Sequence, residues 1–302
     1  MATHLSHFSN AKTNFSINTK SKLGRSSAPT VVAAAQNQSY WASIDAEIDT
    51  YLKKALPIRP PESVFEPMHH LTFAAPRTTA SALCVAACEL VGGDPSLAMV
   101  AASAIHLMHA AAYTHQHLPL TDRPRPKSEP TVQHKYGPNI ELLTGDGIIP
   151  FGLELLARSV DSARSNPTRI LRVIMEITRA SGSQGVVDGQ YKELGIDGSE
   201  ITGLELIEYV CKKKEGELHA CGAACGAILG GGAEDEIEIL RNFGLYAGMV
   251  QGMTAKENPM MEAKIERLKE MALKELGSFD GKKARLELIS SLVEPSLCAA
   301  YT

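Results

Sequence analysis

Apolar residues recur at helical spacing along most of the chain. Ile44, Ile48, Leu52 and Ala55 lie on one helix face, and the prolines between Pro57 and Pro61 end that period. A small-residue helix is predicted over Ser81 to Leu90, closed by Gly92-Gly93. Asp94-Pro95 then supplies the N-cap and first position of the next helix. That helix, Ser96 to about Thr114, is apolar on nearly every side, which suits the centre of a bundle. Helical periods continue from Gly152 to Val160, from Arg169 to Ala180, and from Thr202 through Tyr209 to about Leu229, where Gly230-Gly231-Gly232 stops the chain. Glu234, Asp235 and Glu236 open another helix, their charge matching the positive end of its dipole. A last pair follows Asn258-Pro259, with Ile265, Leu268, Ala272 and Leu276 on one face and Leu286, Ile289 and Val293 on the other helix. No alternating strand pattern stands out. The expectation is an all-α, single-domain bundle of about ten helices.

Residues 119 to 138 break this regularity with Pro119, Pro124, Pro126, Pro130 and Pro138. A loop of that length in a compact domain is commonly functional or unstructured. The first 44 residues break it differently. They carry Lys12, Lys20, Lys22 and Arg25, many Ser and Thr, and no Asp or Glu. Such a leader reads as an organelle transit peptide spanning about residues 1–35, for the plastid rather than the mitochondrion because no Arg-rich amphipathic helix is present. The expected destination is the chloroplast stroma, with ordered structure starting near Tyr40 or Trp41 and one domain over 40–302.

Charge and composition narrow the function classes. The formal net charge of −4 gives no basic footprint for a nucleic-acid backbone. No run of ~18 uninterrupted apolar residues predicts a transmembrane span. Without a secretory signal, the six cysteines are not expected to form a disulfide framework. Cys84 and Cys88, like Cys221 and Cys225, stand four residues apart and share a helix face among alanines and Gly222. Buried packing on Ala-rich helices, a helix–helix interface and, remotely, zinc are the available roles. His106, His109, His115 and His117 invite a metal reading, against which stands ordinary packing with hydrogen bonds to carbonyls. Lys212, Lys213 and Lys214 are expected to face solvent, with an anion role open to Lys214.

The stretch Cys84-Val-Ala-Ala-Cys-Glu-Leu-Val-Gly-Gly93, then Ala104-Ile-His-Leu-Met-His109, His115, Leu118-Pro119 and Asp122, resembles the trans-prenyltransferase family, and plant geranylgeranyl diphosphate synthases in particular. Pro130-Thr131, His134-Lys135, Gly145-Asp146-Gly147, Gln184-Gly185-Val-Val-Asp188, Lys214, Leu240-Arg241 and Gly244-Leu245 extend the resemblance over nearly the whole chain from about residue 40. It implies an isoprenoid synthase helical bundle and the ionisation of an allylic diphosphate, with Mg²⁺ held by two Asp-rich motifs. Here the first motif falls at Gln116-His117-Leu-Pro-Leu-Thr-Asp122, keeping only Asp122. The second falls near Gln251-Gly252, without a carboxylate. Amide and imidazole are poor substitutes for hard oxygen ligands of Mg²⁺. The family's Gly-Gly-Lys-x-Arg-x-Arg-Pro phosphate grip aligns with residues 75–81, leaving Arg77 alone, and Lys214 stands at a phosphate-binding lysine position. The expectation is no catalytic residue and no cofactor in this chain.

The paired Cys-x-x-x-Cys motifs resemble those by which non-catalytic members of this family in plants recognise a catalytic large subunit. The resemblance therefore implies a partner of geranylgeranyl diphosphate synthase type that holds the Mg²⁺, in a heterodimer or a pair of heterodimers. Cys84, Cys88, Cys221 and Cys225 are expected at the interface, with product directed toward geranyl diphosphate. Two other readings remain open. One is a self-sufficient homomeric prenyltransferase using His117 and Asp122, and the other is a binding module for a prenyl diphosphate.

Overall fold

The computed structural model describes residues 28–119, 134–161, 166–195, 203–277, 279 and 283–294. Twelve α-helices and no strand occur among these residues, in agreement with the all-α expectation. The helices are α1 (Ala28–Ala55), α2 (Glu62–Ala74), α3 (Thr79–Leu90), α4 (Pro95–Gln116), α5 (Pro138–Arg158), α6 (Pro167–Ser181), α7 (Val186–Leu194), α8 (Gly203–Cys211), α9 (Glu217–Gly230), α10 (Glu234–Thr254), α11 (Glu262–Gly277) and α12 (Lys283–Ser290). A π-helical turn, Lys212–Gly216, joins α8 to α9 without a break.

The caps explain several of the starts. Asp94 accepts from Ser96 N at 2.9 Å ahead of Pro95, and Asn166 accepts from Thr168 N at 3.0 Å ahead of Pro167. Glu236 reaches back to Ala233 N at 2.7 Å and fixes the first turn of α10.

At the centre, α3 packs on α4 and α9, while α9 also packs on α6 and α10. Ala98 through Leu107 of α4 is almost continuously buried, because neighbours cover every side of that helix. By length and composition α4 is apolar enough to cross a membrane, but two thirds of it is already enclosed by the bundle. The helices α3 and α9 approach most closely. A Cβ at Gly226 would collide with the carbonyl oxygen of Cys84, and one at Gly222 with that of Ala80. Alanine and cysteine complete this contact, since only small side chains fit between backbones so close.

At the N-terminal side the description begins with a helix. Helix α1 begins at Ala28, twelve residues before Tyr40, although the first buried side chain described is Trp41. Trp41 Nε1 donates to Ser291 Oγ at 3.1 Å, so α1 is held to the turn that follows α12. Three helical stretches were not expected. Helix α2 continues through Pro67, α5 starts at Pro138 instead of Gly152 and runs through Pro150, and α7 begins straight after Gly185. The long helix expected from Thr202 to Leu229 is α8, the π turn and α9 in succession.

Candidate functional site

Where α3, α4, α7, the π turn, α9 and the end of α10 converge, they enclose a cavity of about 320 Å³. Of the positions singled out in the sequence, Arg77, Gln116, His117, Lys214, Gln251 and Gly252 all line it. Asp122 and the prolines from Pro124 to Pro130 lie outside the described residues. Residues far apart in the sequence thus converge on one cavity.

Most of these polar side chains are engaged within the chain. Gln116 Oε1 accepts from Lys214 Nζ at 2.8 Å, and the same ammonium lies 2.7 Å from Glu193 Oε2. Lys256, one turn beyond Gln251-Gly252, lines the cavity and pairs with Glu193 Oε1 at 3.2 Å. Gln251 Nε2 donates to the carbonyl of Leu292 at 3.3 Å, and its Oε1 lies 2.6 Å from Thr79 Oγ1. The Thr79 hydroxyl also lies 2.7 Å from His219 Nε2, while His219 Nδ1 donates to Glu215 O at 2.6 Å. With Nδ1 protonated, His219 Nε2 is an acceptor, so it competes with Gln251 Oε1 for the single Thr79 proton. Arg77 turns to an ion pair with Asp49 of α1.

The second-motif position is neutral and glycine-shaped for a local reason. A Cβ at Gly252 would press on the Glu215 carboxyl, 3.0 Å from Oε2, so glycine makes room for that group. Burial raises the Glu215 carboxyl above its ordinary range and thereby favours its neutral form.

The histidines behave as packing residues with local partners. His106 Nε2 donates to Thr72 O at 3.0 Å, and His117 Nδ1 lies 2.8 Å from Tyr113 O. His115 Nε2 lies 3.3 Å from Leu142 O. His109 lines the cavity with a buried Nε2 that has no hydrogen-bond partner. Burial lowers His106 and His219 to about 4 and His109 to about 3, so all three are neutral near pH 7.

Among the described residues, this donor set does not fit a divalent cation. The two carboxamide oxygens are engaged, an ammonium stands in the cavity wall beyond the second motif, and no cluster of three or more His, Cys, Asp or Glu is placed to hold a metal among the described residues. Like-charge repulsion from Lys256 would add to the cost of placing an ion there.

The cysteines lie elsewhere. Cys84, Cys88, Cys221 and Cys225 are at most 2% exposed, packed between α3 and α9. Cys88 Sγ lies 3.3 Å from Asp94 O, and Cys221 and Cys225 place their sulfurs 3.7 Å apart. Burial pushes Cys88 up to about 12 and Cys84 and Cys225 well above the ordinary thiol value, which makes these thiols unreactive. In the lone chain the close approach these four side chains permit joins two helices of the same chain, α3 and α9. Lys213 is likewise not a solvated lysine, since it pairs with Asp188 at 3.1 Å and donates to Gln184 O at 2.7 Å.

Sequence reading missed Glu193, Glu215 and Lys256. For Lys256 a signal existed, because it continues the inward stripe of α10 by one turn. For Glu193 none did, since nothing in the sequence places α7 beside Lys214.

Comparison with known proteins agrees with this geometry. The sequence profile of the polyprenyl synthetase family matches residues 61–251. The heterodimeric geranylgeranyl pyrophosphate synthase small subunit 2 (chloroplastic) of Cannabis sativa is 48% identical over 279 residues, covering 87% of this chain and 96% of that protein. The crystal structure of the geranyl diphosphate synthase small subunit from Antirrhinum majus superposes with a TM-score of 0.79 at 67% identity, covering 85% of this chain and 98% of that one. A mint heterotetrameric geranyl pyrophosphate synthase deletion mutant, solved with ligands, gives 0.75 at 62% identity, covering 85% and 99%. The cavity, the helical order and these matches lead to one assignment: the chain belongs to the polyprenyl synthetase family.

Proposed function

We propose that this chain is the non-catalytic small subunit of a heteromeric prenyl diphosphate synthase of the plastid stroma. It binds a catalytic large subunit of geranylgeranyl diphosphate synthase type, which holds all of the Mg²⁺, and directs or enhances formation of geranyl diphosphate. One observation carries the reading. Gln116 and Gln251, at the positions where the family places its metal carboxylates, are neutral and hydrogen-bonded to Lys214 and Thr79 of the same chain. Leaving-group departure from an allylic carbon needs its developing charge offset, and amides already engaged elsewhere do not supply that. Similarity to the chloroplastic small subunit of Cannabis sativa and to the small subunit of Antirrhinum majus supports the subunit role and the compartment.

The surface that suits the partner is on α5 and α6, which pack against each other. Leu143 is 69% exposed, and Leu171 and Met175, one turn apart on α6, are 59% and 57% exposed. Exposed large apolar groups of this kind are what a protein partner covers. The cysteine helices act on that surface indirectly, by fixing the position of α6 against α9.

Co-expression with a plant catalytic geranylgeranyl diphosphate synthase tests the proposal. The two chains are expected to co-elute on size exclusion, and the complex to release a larger share of ten-carbon product than the catalytic chain alone. Separate elution with an unchanged product profile would refute it.

A further inference from the structure

Two lysines face the cavity, and both are turned toward one carboxylate that does not line it. Lys214 comes from the π turn before α9, Lys256 from just beyond α10, and Glu193 from the end of α7. Each ammonium takes a different oxygen of Glu193, Lys214 on Oε2 at 2.7 Å and Lys256 on Oε1 at 3.2 Å. Lys214 also donates to Gln116 at 2.8 Å, so it is held from both sides, and its side chain is 10% exposed. Two ammonium groups that share the two oxygens of a carboxylate have the spacing that the oxygens of one phosphoryl group would bridge. Arg77 brings no competing charge, because Asp49 already pairs with it.

We propose that Glu193 is a built-in counter-ion that keeps a metal-free diphosphate site closed, and that neutralising it frees Lys214 and Lys256 to bind pyrophosphate without a divalent cation. The arrangement has a consequence for the complex: a small subunit whose cations are satisfied internally does not withdraw diphosphate substrates from its catalytic partner. The inference rests on reading the cavity as catalytically silent, but the two fail separately. Loss of co-elution would remove the partner role and leave the Glu193 result standing.

Isothermal titration of the full chain with inorganic pyrophosphate, once with EDTA and once with Mg²⁺, tests the proposal. The parent chain is expected to show no saturable binding in either condition. E193Q is expected to bind at least about tenfold more tightly than the parent in EDTA, with no gain from Mg²⁺, since it retains hydrogen-bonding capacity and loses the competing charge. The double variant E193Q/K256A is expected to lose that gain. E193A is carried beside E193Q, so that a folding defect in one does not decide the matter. Pyrophosphate binding by the parent as tight as by E193Q, a gain that needs Mg²⁺, or no gain in folded E193Q or E193A of unchanged melting temperature would overturn it.

Discussion

Gly226 of α9 lies so close to the carbonyl oxygen of Cys84 on α3 that the backbones leave no space for a side-chain carbon. The contact sets the spacing of the two central helices and gives the neighbouring cysteines their role as fillers between helices. It also separates the structural claim about Cys84, Cys88, Cys221 and Cys225 from the one that their spacing first suggests.

G226A should therefore be more damaging than removal of any thiol. Forcing a methyl against a backbone carbonyl in a packed core costs about 1–3 kcal/mol or more. C84A or C225A leaves only a small void and should cost about 1 kcal/mol. Urea denaturation of the three variants checks the order. Because the thiols are buried within one chain, C84A and C225A should still associate with the catalytic subunit at temperatures where they are folded. A cysteine variant that loses association while keeping parental stability would return the thiols to the interface.

Buried neutral histidines make stability depend on pH in a defined direction. His106 and His219 fall to about 4 and His109 to about 3, while an unfolded histidine titrates near 6.5. Between those values the unfolded chain binds more protons, so stability is full above about pH 6.5 and is lost as pH falls toward 4. Each histidine contributes a slope of up to about 1.4 kcal/mol per pH unit. H106Q retains a donor for Thr72 O and should show a shallower loss between pH 6.5 and 4.5 than the parent in urea titrations. Parallel curves would show that His106 is not held neutral.

The partner surface is tested by charge. Leu171 and Met175 are exposed in the lone chain, so L171E/M175E should leave the melting temperature within a degree or two of the parent. In a complex the same carboxylates would be desolvated without partners, and association should weaken by at least about tenfold. Surface plasmon resonance against an immobilised catalytic subunit reads this out, and undiminished affinity would move the interface off α6.

The sequence made the central helices plain because α3, α4 and α9 are apolar or small on nearly all sides, a pattern that no surface helix shares. Helix α2 and the first half of α5 contain Pro67, Pro150 and the glycines around Asp146, residue types that weaken a helical pattern in the sequence. Burial of Pro67 and packing of α5 on α4 outweigh the lost donors there, and this is tertiary information. The π turn was equally invisible, although Lys214 sits within it. At the site, motif spacing located Gln116, Gln251 and Lys214, while the partners that hold them come from distant segments. Gln116 and Lys214 are 98 residues apart, and Thr79 and Gln251 are 172 apart. Composition alone cannot pair residues across such distances.

The most direct measurement is turnover by the purified full chain with isopentenyl and dimethylallyl diphosphates in saturating Mg²⁺ and no partner present. The account predicts no prenyl diphosphate product above the protein-free background, and restored synthesis when the catalytic subunit is added. Sustained product formation by the lone chain, abolished by EDTA, would contradict it.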